Sequence, residues 1–110
     1  MYARVARFEG VDPSTLAESV AERRRQMREA AESGTAPEGA PEQVATLMDT
    51  VKRVVELADR EQGAMLVITF TETAEDMRRA DEALNAMSPS GDEGQRTSRD
   101  IYEVVLDESF

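Results

Sequence analysis

Twice along this chain a short apolar strand leads into a helix with a recognisable start signal, and each helix leads on to further strand. The first half opens with a strand over residues 2–8 and a helix beginning at Asp12. The second has a strand over residues 65–70, a helix beginning at Thr73 and a last strand over residues 101–106. With 110 residues there is enough chain for one core and too little for two, so a single domain over residues 1–110 is expected.

Local signals set the element boundaries. Asp12 followed by Pro13 marks a helix start, because a carboxylate can accept from free backbone N–H groups and proline suits the first helical position. Leu16, Val20, Met27 and Ala31 then recur at roughly helical spacing, which predicts a stripe turned toward a core. Gly34 is the stop signal, and the glycines and prolines of residues 33–41 predict a loop.

Residues 42–61 support two readings. Val44, Leu47, Met48, Val51, Val54, Val55 and Ala58 fit a helix, whereas the β-branched Val51, Val54 and Val55 and a turn signal at 59–63 fit a hairpin. Such a hairpin, with strands over 51–58 and 64–71, would use Gly63 where a positive φ is needed. In the second helix, Thr73 and Asp76 resemble a capping box, and Met77, Ala80, Leu84 and Met87 form the apolar stripe. Ser88 before Pro89 ends it, and residues 88–98 read as a loop. The GDEG run at Gly91 lacks the lysine and the strand-to-helix context of a phosphate loop.

Composition narrows the chemistry. The formal net charge of −10 disfavours nucleic acid as a partner. Arg23, Arg24, Arg25 and Arg28 are interspersed with Glu18, Glu22, Glu29 and Glu32, the pattern of charge pairing on a solvated helix face. His and Cys are absent, which removes the commonest general base, metal ligand and thiol nucleophile, so neither a metal site nor a cofactor is expected. No apolar run approaches the ~18 residues of a membrane span, and the arginines at positions 4 and 7 break any leader-like stretch; the cytoplasm is the expected compartment.

Met65, Leu66, Val67 and Ile68 are consecutive apolar residues, and Tyr102, Val104, Val105 and Leu106 nearly repeat the pattern. Strands of this kind need cover on both faces. Two helices in a chain this size shield one face of a four-stranded antiparallel sheet, so the other is expected to meet a second copy, or else to be covered by a short helix over residues 42–48 or by the long loop.

The opening MYARVARFEG, the stretch VKRVVELADREQGAMLVITFTETAEDMRRADEALNAMSP and the segment QRTSRDIYEVVLDE resemble small bacterial proteins of the dimeric α+β-barrel superfamily, the group that includes antibiotic biosynthesis monooxygenases. Residues 33–50 are longer than that pattern. The resemblance implies an α+β, ferredoxin-like β-α-β-β-α-β fold, with a four-stranded antiparallel sheet and two helices on one face, pairing as a homodimer. It also makes residues 51–58 a strand. For function it implies a small apolar or phenolic ligand, handled either by cofactor-independent monooxygenase-like chemistry or by a non-catalytic binding or structural member. The Asn, Trp and His set of the haem-degrading members has no match, since Trp and His are missing and Asn85, the only Asn, falls off the buried helix stripe toward the surface.

No catalytic residue can be assigned. Arg4, Thr69 and Tyr102 are the candidate ligand-binding residues: an arginine on a central strand needs an anion or an acidic partner, and a phenol can position an oxyanion. The plainer role for Arg4 is an internal ion pair with Glu103 or another strand acid. For Tyr102 it is packing across strands, and for Thr69 simple strand propensity.

Overall fold

A computed structural model describes residues 1–87 and 94–110. Its elements are β1 (Tyr2–Glu9), α1 (Leu16–Ser33), α2 (Glu42–Thr50), β2 (Val51–Asp59), β3 (Ala64–Thr71), α3 (Ala74–Ala86) and β4 (Gln95–Glu103). The strands form one antiparallel sheet in the order β2-β3-β1-β4. The protein is therefore α+β, consistent with a ferredoxin-like fold, with three helices where two were expected.

Both readings of residues 42–61 hold in part. The first half, poor in β-branched residues, is α2. Where Val51, Val54 and Val55 begin, the chain becomes β2 and pairs with β3 from Val51 opposite Thr71 to Asp59 opposite Ala64. The hairpin turn is held by the Asp59 carboxylate, which accepts from the backbone N–H groups of Glu61 and Gln62 at 3.1 Å. Gly63 has the left-handed φ of 63°, and a Cβ there would lie 3.1 Å from the carbonyl oxygen of Val11. Gly63→Ala should therefore cost about 1–2 kcal/mol, measurable as a lowered denaturant midpoint at unchanged slope.

The first helix starts later than its signal. Asp12 does not cap α1: its carboxylate accepts from the Ser14 N–H at 2.9 Å and the Ser14 hydroxyl at 2.7 Å, closing a turn, and the helix begins at Leu16. Only the first turns of its stripe reach the core. Leu16 is buried and Val20 packs beside it, but Met27 is 48% exposed and Ala31 lies open. Gly34 ends the helix in the left-handed conformation. At α3 the Thr73 hydroxyl accepts from the Asp76 N–H at 3.0 Å, as its spacing predicts, and Met77, Ala80 and Ala83 are buried. The expected stop at Ser88 and Pro89 and most of the GDEG run lie outside the described residues.

The last strand is displaced from its expected position. β4 covers residues 95–103, so residues 95–98 are strand and not loop, while residues 104–106 carry no strand pairing. One hydrogen bond, from the Val104 N–H to the Met1 carbonyl, continues the ladder. Beyond it Val105, Leu106 and Phe110 are almost fully exposed.

The pleat divides the sheet into two unlike faces. Arg4, Ala6 and Phe8 of β1 lie opposite Thr69, Val67 and Met65 of β3. Leu16 and Val20 of α1 pack on Ala6, Phe8 and Met65, and Asp81 of α3 reaches Arg4, so the helices sit on this side. α2 packs against α3 and is tied to it by Asp49 and Arg79 at 2.9 Å. It does not cover the other face. That face presents Val5, Leu66, Ile68, Phe70, Val55 and Leu57, with no helix of the described residues over it.

Candidate functional site

The polar centre of the molecule lies on the helix side, between β1, β4 and α3. Arg4 is 3% exposed and sits on a central strand. Ala80 and Ala83, both small and buried, bring α3 close to the sheet and set Asp81 and Asn85, four residues apart on one helix face, beside the guanidinium. The Arg4 Nε donates to Asp81 Oδ1 at 2.8 Å, and Nη2 donates to Asn85 Oδ1 at 2.9 Å. From β4, Arg99 Nη1 donates to Asp81 Oδ2 at 2.9 Å, and Arg96 Nη1 donates to Asn85 Oδ1 at 2.7 Å. Three arginines thus converge on one carboxylate and one amide.

The electrostatics follow from that count. Burial lowers the Arg4 pKa from its ordinary value; Asp81 opposes the shift by hydrogen bonding and by charge, while the charges of Arg96 and Arg99 add to it. The guanidinium remains protonated at neutral pH. The shifted carboxylates lie elsewhere. Asp12 is lowered by its bonds from Ser14, Glu22 by Arg25 and Gln26, and Glu75 by Arg78, all at exposed positions before or on the helices. Lowering of this kind belongs to surface pairing, not to a catalytic acid held protonated.

The three sequence-derived ligand candidates do not form one site. Thr69 is buried and directly opposite Arg4 in the β1–β3 register, so these two share the helix side. Tyr102 lies opposite Ala3, which places it on the open face, 57% exposed. The ion-pair reading of Arg4 holds with a different acid: Asp81 of α3 and not Glu103. Asn85 is exposed, as expected, yet its oxygen serves two arginines. Asp81, Arg96 and Arg99 are absent from the sequence-derived set, and the signal that could have found Asp81 is its four-residue spacing to Asn85 beside the small residues Ala80 and Ala83.

Other features carry less chemistry. Arg25 bridges Glu22 and Glu29, and Arg23 crosses to Glu56 of β2 at 2.6 Å, so the arginine-rich stretch of α1 is largely engaged with acids. A depression of about 240 Å³ between α1 and β2, lined by Leu16, Val20, Glu56 and Met65 among others, is smaller than the ~300–1,000 Å³ usual for ligand pockets. Among the described residues no group of His, Cys, Asp and Glu could hold a metal ion, and no helix is long and apolar enough to cross a membrane. The chain matches no protein-family model and has no significant match among curated proteins.

Proposed function

We propose that the chain works as a homodimer of the dimeric α+β-barrel type, resembling antibiotic biosynthesis monooxygenase-like proteins, and binds a small apolar or phenolic molecule between its paired sheets in the cytoplasm. The observation that carries this reading is the open sheet face. Val5, Leu66, Ile68, Phe70, Val55 and Leu57 form a contiguous apolar surface, and such surfaces on a soluble chain mark sites of association. α2, the element available to cover it, packs on α3 instead. The strand order β2-β3-β1-β4 also suits the ferredoxin-like arrangement, with α2 as an addition inside residues 33–50, where the resemblance is weak.

Two such faces packed about 10 Å apart would enclose side chains of this surface, with Tyr102 at its β4 side. In this reading Tyr102 is the group available to meet a ligand phenol or oxyanion, while Arg4 lies behind the sheet. A second reading, a non-catalytic binding member, is favoured by one specific observation: Arg4 is already engaged by Asp81 and Asn85 and does not point into a pocket as a free cation.

Native mass spectrometry of freshly purified protein tests both. A species of twice the chain mass is expected at micromolar concentration; a monomer overturns the proposal. Added mass on the dimer identifies a retained ligand, and oxygen uptake with phenolic candidates then separates turnover from binding alone.

A further inference from the structure

We propose that Arg96 and Arg99 of β4, backed by the charge of Arg4, form an oxyanion site beside α3, suited to a dianionic phosphoryl group. Among the described residues these three guanidinium groups meet one negative charge, Asp81, because Asn85 is neutral. Among the described residues three positive charges against one leave an excess of two, which a dianion would balance. Arg23, Arg25, Arg78 and Arg79, in contrast, each face at least one carboxylate.

The backbone supports the same assignment. In a regular strand, residues three apart point to opposite faces. β4 has an irregularity here: Arg7 lies opposite Ser98 and Phe8 opposite Arg96, so Thr97 is the extra residue of a bulge. That bulge turns Arg96 to the helix side, where Arg99 already points, and both reach acceptors on α3. Each uses one Nη on those acceptors, and their remaining N–H groups have no acceptor among the described residues. Arg4, held by its bonds to Asp81 and Asn85 of α3, supplies a third charge that cannot move away. A fork of planar, polydentate donors is the arrangement that recognises phosphoryl oxygens. The site is on the side of the sheet away from the proposed dimer face, and it stands or falls independently of that reading.

The test is calorimetric titration of the full chain with inorganic phosphate, at constant ionic strength set by chloride. Saturable binding is expected, stronger at pH 8 than at pH 6 because the dianion then predominates. Arg96→Gln and Arg99→Gln should each weaken it about tenfold, the loss of one charge-assisted bond pair, with melting temperature showing that the fold is retained. Arg60→Gln, in the β2–β3 turn, should change it less than about twofold. Absence of saturable binding, or equal affinity in the Arg96 and Arg99 variants, overturns the site. Acetate bound as tightly as phosphate overturns the dianion class.

Discussion

Asp81→Ala should be the most damaging single side-chain truncation in the molecule, costing about 3–5 kcal/mol. The Arg4 side chain is 4% exposed and that of Asp81 15%, so solvent screens their 2.8 Å contact very little. Removing the carboxylate leaves a buried guanidinium with one neutral acceptor, Asn85, and with Arg96 and Arg99 nearby. The loss is a large share of the ~5–15 kcal/mol that holds a domain together, so the variant is expected to be largely unfolded near its former melting point. The pair itself should contribute far less than this. Arg4→Met combined with Asp81→Leu removes both charges together and should recover most of the loss, because an apolar pair of similar volume avoids the desolvation penalty. Urea denaturation of the two single variants and the double variant measures the coupling. An Asp81→Ala protein within about 1 kcal/mol of the parent would show that Arg4 reaches water or another acceptor.

Leu57→Asp should have the second largest effect, on assembly and not on folding. Leu57 is on edge strand β2, on the open face, and 49% exposed in the isolated chain, so a carboxylate there remains hydrated and the protomer should lose less than about 1 kcal/mol. In the proposed dimer the same carboxylate would be enclosed against the apolar face of the other copy. Each unpaired polar group there costs about 2–3 kcal/mol, and the dimer carries two, which weakens it by roughly a thousandfold or more. Sedimentation velocity over a dilution series reads this as a shift to monomer at concentrations where the parent remains dimeric. If the variant and the parent sediment alike while both are dimers, association uses some other surface, such as the exposed residues of the C-terminal segment.

What the sequence discloses and what it conceals divide along physical lines. β1, β3 and α3 follow from nearest-neighbour chemistry, alternating or continuous apolar residues and Thr73 bonding the N–H three residues on, whereas residues 42–61 fit a helix and a hairpin equally well by local pattern and divide between α2 and β2. β4 does not announce itself, because it is an exposed edge strand whose residues 95–98 are polar and are held as strand by backbone pairing with β1 alone. The apolar residues that follow read as strand, yet lack a partner in the chain. The Asp81 contact is concealed for a different reason. It joins positions 77 residues apart, and Glu103 on a strand, more distant still along the chain, offers an equally reasonable partner from sequence alone. The bulge at Thr97, which decides where Arg96 points, leaves no mark in residue type.

The pleat of β1 has an evolutionary consequence. Its even-numbered residues from Arg4 to Phe8 meet the helices, and its odd-numbered residues from Ala3 to Arg7 meet the open face. Neighbouring codons therefore answer to different selective pressures, one set to the folding of the protomer and the other to what lies against the sheet. Changes on opposite sides of a sheet share few contacts and tend to act additively. Descendants of this chain can change the residues of the open face without disturbing the charged centre behind it, and the reverse holds as well.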